Sequence, residues 1–226
     1  PLLVRELAIS EKTSGPKHLD TAASLLKLGS LYADHNQAAK AEPLLVRALA
    51  IYETEAGPDH SDTGAALWRL GLLYQSERNY QKAEPLLIRE LAISEKTSGA
   101  EHPDTATSLN NLALLYENQG LYSKAEPLYQ RALAIREKAL GPDHPDTATS
   151  LNNLAELYGD QGLYSKAETL SQRALAIDEK ALGPDHPGTA TDLNNLAGLY
   201  HSQGLYSKAE PLYQRALAIR EKALGP

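Results

Sequence analysis

Five histidines, His18, His60, His102, His144 and His186, recur 42 residues apart. Imidazole can ligate metals and move protons near neutral pH. A zinc ion, however, needs its ligands within roughly 2 Å, and equivalent positions on successive units stand too far apart to share one. Packing at a helix start is the expectation. Six arginines, Arg5, Arg47, Arg89, Arg131, Arg173 and Arg215, mark a second periodic position, where pairing with glutamate between repeats or on the outer face is expected. Cysteine is absent, which excludes disulfides, thiolate catalysis and cysteine metal sites together. The chain contains no Gly-rich phosphate loop, no His-Glu-x-x-His and no Gly-x-Ser-x-Gly. Most carboxylates belong to repeating positions, whereas an active site is normally a singular break in a pattern. No enzymatic activity, metal or cofactor is expected.

Paired asparagines carry more specific chemistry: Asn110-Asn111, Asn152-Asn153 and Asn194-Asn195. An amide offers two donors and a two-lone-pair acceptor, matching a peptide backbone without reading its side chains. A ladder of amides could hold an extended peptide in register, with Trp68, Leu72, Leu114 and Glu156 supplying selectivity. The alternative is that one asparagine of each pair bonds a neighbouring helix, since buried amides are usually satisfied internally. Lys27 and Arg69 take the place of the second asparagine in the first two units. With Trp68 adjacent, they would favour an acidic or C-terminal carboxylate, unless they are merely a solvated basic pair. Glu156, Asp160 and Asp192 tilt the other half negative.

The elements that must position these groups repeat every 42 residues: Lys-Ala-Glu begins at Lys40, Lys82, Lys124, Lys166 and Lys208. His102–Asp143 and His144–Asp185 differ at only six positions: Leu114/Glu156, Glu117/Gly159, Asn118/Asp160, Pro127/Thr169, Tyr129/Ser171 and Arg136/Asp178. Each unit reads as two helices. Leu109, Leu112, Ala113 and Tyr116 form an i, i+3, i+4, i+7 stripe. His102-Pro103-Asp104 opens that helix and Gln119-Gly120 closes it. Ser123-Lys124-Ala125-Glu126 predicts a capping box for the second helix, whose buried face would carry Ala125, Leu128, Tyr129, Ala132 and Ile135. Gly141-Pro142 ends it. Pro43, Pro85, Pro127 and Pro211 fall near the first turn and should be tolerated. Glu6 and Glu90 replace a small alanine, predicting looser packing or a glutamate that reaches a partner.

Opposite the stripe, helical geometry places Thr107, Asn110, Asn111, Leu114 and Asn118. The same side holds Asn152, Asn153, Glu156 and Asp160 in the fourth unit, and Asn194, Asn195, Gly198 and Ser202 in the fifth. Trp68, Arg69 and Leu72 take it in the second, and Leu26, Lys27 and Ser30 in the first.

The pattern resembles the tetratricopeptide repeat, large-x2-Leu-Gly/Ala-x2-Tyr then Ala-x3-aromatic-x2-Ala. Leu67, Leu70, Gly71, Tyr74, Ala83 and Leu87 match it, as do Leu193, Leu196, Ala197, Tyr200, Ala209, Tyr213 and Ala216. The longer period, with Leu-Asn-Asn-Leu-Ala-x-Leu-Tyr, resembles the kinesin-light-chain type, and near-identical units point to a bacterial source. The resemblance implies an all-α, right-handed superhelical solenoid of antiparallel helix pairs. Its concave groove would be lined by the first helices, where asparagines contact cargo peptide in that type. HEAT or armadillo helices would also fit the period, but small residues at close helix approaches favour the tetratricopeptide reading.

Eleven helices are expected in a single array over 1–226: an orphan second helix (1–16) and repeats at 17–58, 59–100, 101–142, 143–184 and 185–226. The net charge of -7 carries no basic block, which argues against nucleic-acid or anionic-membrane partners. Apolar runs are too short to span a membrane. A cytoplasmic location is expected, and the opening Pro1-Leu2-Leu3 suggests an excised piece of a larger protein. Neither end shows a polar cap, so homo-association there is foreseen. The leading functional expectation is a scaffold or adaptor binding extended peptide segments of protein partners. A self-assembly module and a regulatory module of a larger signalling protein are the alternatives.

Overall fold

The computed structural model describes residues 2–224, and among these it contains eleven α-helices and no strand. They are α1 (Leu2–Thr13), α2 (Leu19–Asp34), α3 (Ala38–Glu55), α4 (Ser61–Ser76), α5 (Tyr80–Thr97), α6 (Pro103–Asn118), α7 (Tyr122–Leu140), α8 (Pro145–Asp160), α9 (Tyr164–Ala181), α10 (Pro187–Ser202) and α11 (Tyr206–Leu224). Leading helices, α2, α4, α6, α8 and α10, each pack most extensively on the helix that follows. The chain groups into two compact units, Pro1–Ala100 and Glu101–Pro226, and the division falls on a repeat boundary. In the first unit α1 packs on α2 and α3 on α4; in the second α7 packs on α8 and α9 on α10.

Each leading helix starts on histidine. The ring nitrogen Nδ1 of His18, His60, His102, His144 and His186 accepts a backbone N–H two residues on, at 3.0 to 3.2 Å. The periodic histidines are therefore N-caps, a role more often filled by Ser, Thr, Asp or Asn. Pro103, Pro145 and Pro187 follow directly, where a missing N–H costs no helical bond.

Gln119-Gly120 closes the leading helix as expected, and the closure is a Schellman motif: the Gly120 N–H bonds Glu117 O at 2.8 Å and the Leu121 N–H bonds Tyr116 O at 2.8 Å. Gly120 has φ +71. At the equivalent positions Asn36 and Arg78 hold φ 56 and 57 without being glycine. This tight reversal displaces the predicted capping box. The helix-starting residue is Leu121, which makes no side-chain cap, and Ser123 already lies in the first turn. Lys124 and Ala125 N–H groups bond Leu121 O instead. Pro43, Pro85, Pro127 and Pro211 sit inside unbroken helices.

The core of each pair follows the apolar stripe. Leu109, Leu112, Ala113 and Tyr116 are buried, as are Ala125, Tyr129, Ala132 and Ile135, whereas Leu128 is only half-buried. Close approach decides residue size at one position. A Cβ on Gly71 would lie 2.7 Å from Leu87 Cδ2, and one on Gly29 2.8 Å from Leu45 Cδ2. Where alanine replaces that glycine, at Ala113 and Ala197, tyrosine replaces the facing leucine.

Polar links join successive repeats. Tyr158 Oη donates to Glu126 at 2.8 Å and Tyr200 Oη to Glu168 at 2.7 Å. Tyr74 Oη donates to Glu42 at 2.7 Å, which with Lys82 holds that carboxyl below its ordinary range. Lys82, Lys166 and Lys208 lie over the rings of Tyr74, Tyr158 and Tyr200 at 4.6 to 4.9 Å. The invariant Lys-Ala-Glu triplet thus serves two tyrosines, its own and the next. Arg47, Arg89, Arg173 and Arg215 pair with Glu11, Glu53, Glu137 and Glu179, as expected. Each also donates to the carbonyl of Pro16, Pro58, Pro142 or Pro184.

Candidate functional site

In the first unit, Lys27 is exposed but ion-paired with Glu6 at 2.9 Å, so Glu6 does reach a partner. Arg69 stacks on Trp68, 4.5 Å from the ring centroid, and lies 3.9 Å from Asp34. Trp68, Arg69 and Leu72 are half-buried. The basic charge expected there is thus already offset in part by Glu6 and Asp34.

In the second unit, the asparagine pairs divide their labour. Asn110 is buried and donates to Ser150 Oγ at 3.4 Å, linking α6 to α8. Asn110, expected along the groove, is thus engaged within the array, the alternative that was open for one asparagine of each pair. Asn152, half-buried, donates to Asp192 Oδ1 at 2.5 Å and links α8 to α10 in the same manner. Asn111 and Asn153 are half-buried and Asn195 is exposed, so the second asparagine keeps an accessible amide. Leu114 and Asn118 on α6, and Glu156 and Asp160 on α8, are exposed.

Behind these links, burial reshapes acidity. Arg136 is buried and donates to Asp146 O, Ser150 Oγ and Thr107 Oγ1 at 2.9 to 3.1 Å. One repeat later its place and that of Ser150 are taken by Asp178 and Asp192, which hydrogen-bond each other. Burial raises both carboxyl pKa values above the ordinary aspartate range. Glu117, buried and bonded by Tyr129 Oη at 2.7 Å, is raised to about 7 by burial, with Glu156 and Asp160 adding repulsion.

Between α8 and α10 opens a pocket of about 350 Å³. From α8 come Asn152, Glu156, Gly159 and Asp160; α10 adds Asn194, Asn195, Gly198 and Ser202. Buried Ser171 of α9 and exposed Tyr213 of α11 also line it. Its origin is legible by comparison with the third repeat. There Tyr129, fully buried, fills the space beneath the leading helix and its hydroxyl meets Glu117. In the fourth repeat both partners shrink together, to Ser171 and Gly159, which leaves volume without leaving an orphaned carboxylate. Four of the six differences between these two repeats, Glu156, Gly159, Asp160 and Ser171, line this one pocket. The sequence reading included Glu156, Asp160, Asn152, Asn194 and Asn195, which the structure brings together here. It missed Ser171, Gly159 and Tyr213, although the paired loss of Tyr and Glu was visible. Asn153 lies outside the pocket lining.

No group of three or more histidine and acidic side chains gathers into a metal site among the described residues. None of their helices is long and apolar enough to cross a membrane.

Antiparallel helix pairs recurring every 42 residues define a helical-hairpin repeat protein. The tetratricopeptide repeat model matches residues 1–54, 62–138, 111–180 and 146–222, and the chain belongs to that family. Among solved structures it is similar to a kinesin-light-chain-type protein of Podosopora anserina with nearly identical TPR-like repeats. That match has 30% identity and a TM-score of 0.74, over 91% of this chain and 98% of that one. It is also similar to BtubC (BKLC) from P. vanneervenii, with 24% identity and TM-score 0.78 over 100% and 94%. The apo form of RapI shares the fold, with 19% identity and TM-score 0.67 over 97% and 91%. No curated protein matches the chain.

Proposed function

We propose that the chain is a protein-interaction scaffold that binds an extended peptide segment along the far sides of its leading helices. One observation carries this reading: repeats three and four differ at only six positions, and four of the six meet in a single pocket on that side. Solenoid repeats of this kind build extended binding surfaces from equivalent positions on successive units. Asn111, Asn153 and Asn195 supply amides that can pair with a peptide backbone, and the residues beside them supply selectivity. In the first unit, Trp68, Arg69 and Leu72 present an amphipathic patch that would contact such a segment separately. The scaffold holds a partner and performs no reaction of its own. Peptide mapping after a pull-down identifies the segment, and replacing Asn111, Asn153 and Asn195 with alanine should weaken its binding while helicity is retained. Undiminished affinity in the triple variant would defeat the amide ladder.

A second reading, self-association, rests on the apolar surface of α1 and α11, where Leu2, Ile9 and Leu217 are 80%, 61% and 57% exposed. Exposed apolar patches mark association sites. Light scattering across a concentration series decides it: a monomer throughout removes this reading.

A further inference from the structure

We propose that the pocket between α8 and α10 receives the guanidinium group of an arginine side chain from the bound peptide. The inference rests on the peptide-binding reading above and specifies its ligand chemistry at this one place. Glu156 and Asp160 stand one turn apart on the same face of α8, the spacing at which two side chains reach a common point. Their counterparts in the third repeat, Leu114 and Asn118, are uncharged, so both carboxylates appear in the repeat where the cavity appears. The lining holds no lysine or arginine to neutralise them. Asn152 also lines the cavity and gives its amide N–H to Asp192 Oδ1, while its carbonyl oxygen is buried without a hydrogen-bond partner among the described residues.

The set is thus rich in acceptors: two exposed carboxylates and the amides of half-buried Asn194 and exposed Asn195. A group presenting several donors in one plane fits it better than a point charge, which selects guanidinium over ammonium. Tyr213 also lines the cavity and adds an aromatic ring, a group that attracts cations. A Cβ on Gly198 would stand 3.6 Å from the Tyr213 hydroxyl, and glycine leaves that space open. Ser171, buried, lines the cavity with a short side chain where the third repeat has the bulk of Tyr129.

The test uses the isotope-labelled chain and a blocked arginine, Nα-acetyl-arginine N-methylamide, titrated by amide chemical-shift change. Shifts should concentrate at Gly159, Gly198 and Ser202 and at the side-chain amides of Asn194 and Asn195. The citrulline analogue, equal in shape but neutral, should bind about tenfold more weakly, as should the Glu156→Gln, Asp160→Asn variant toward arginine. Free arginine should bind more weakly than the blocked form, because its carboxylate meets two others. A Gly159→Glu, Ser171→Tyr variant restores a pair that repeat three already folds around, so it fills the cavity without unfolding the chain, and binding should vanish. Equal binding of citrulline, or unchanged binding in the filled variant, overturns the assignment. Selection from a random decapeptide library separates the two readings. Binders with arginine at one register support both. Binders without a basic residue keep the scaffold reading and sink this one. Pocket binding by the blocked arginine with no peptide binder does the reverse.

Discussion

The Tyr129 hydroxyl donates to Glu117 Oε2 at 2.7 Å in a part of the molecule where both side chains are buried. The bond explains why repeats three and four exchange these residues as a pair. A buried carboxylate without its donor would carry its full desolvation penalty. Tyr129→Phe should therefore destabilise the chain by about 1–3 kcal/mol, while in the Glu117→Gly background the same change should cost less than about 1 kcal/mol. Urea unfolding of the four members of this double-mutant cycle measures both, and equal costs in the two backgrounds would show that the bond is not the link.

Glu117 also sets a pH dependence. Its carboxyl is raised from 4.5 to about 7 in the folded chain, chiefly by burial. Between these values the folded state keeps a proton that the unfolded state has lost, so this residue's contribution to stability falls as pH rises through that window. Below it both states are protonated and nothing is lost. Glu117→Gln should be near neutral at pH about 4.5 and more stable than wild type by up to about 3 kcal/mol at pH about 8. A constant difference at all pH values would contradict the raised pKa.

The histidine caps are separable from any role in packing. His102→Asn keeps an acceptor for the Asp104 N–H and should leave stability within about 0.5 kcal/mol, whereas His102→Ala should cost about 1 kcal/mol. Thermal melts of the two variants distinguish them, and equal loss in both would mean that ring contacts matter more than the bond.

Arg78 holds φ 57, where repeats three to five place glycine. A side chain in this left-handed region costs roughly 1–2 kcal/mol, and only glycine adopts it freely. Arg78→Gly should stabilise the chain by about 1 kcal/mol, offset in part by the greater freedom of glycine when unfolded. A fall in stability would show that the Arg78 side chain makes compensating contacts.

These cases mark where sequence reasoning reaches and where it stops. The helix pairs, the glycine reversals and the arginine–glutamate pairs were legible because each depends on local pattern or on a strict 42-residue interval. Ser123 misled because Ser-x-x-Glu looks the same whether it precedes a helix or begins inside one. What decided it was the two-residue reversal through Gly120 and Leu121. Asn110 and Asn111 are indistinguishable as types, and only the 100° turn between them sends one to Ser150 and the other outward. The pocket was hidden for a different reason. Its shape is set by the sizes of residues on four helices, and no interval in the sequence records that Ser171 and Gly159 line the same cavity.

The tyrosine–glutamate links between repeats have an evolutionary corollary. Glu126 serves Tyr158 and Glu168 serves Tyr200, each across 32 residues. Excising 144–185 would bring Glu126 to Tyr200 at that same separation, restoring the clasp and erasing only the cavity. Gene slippage by whole repeats can therefore lengthen or shorten such a chain while its joints re-form, so binding pockets can be inserted, deleted or duplicated as cassettes.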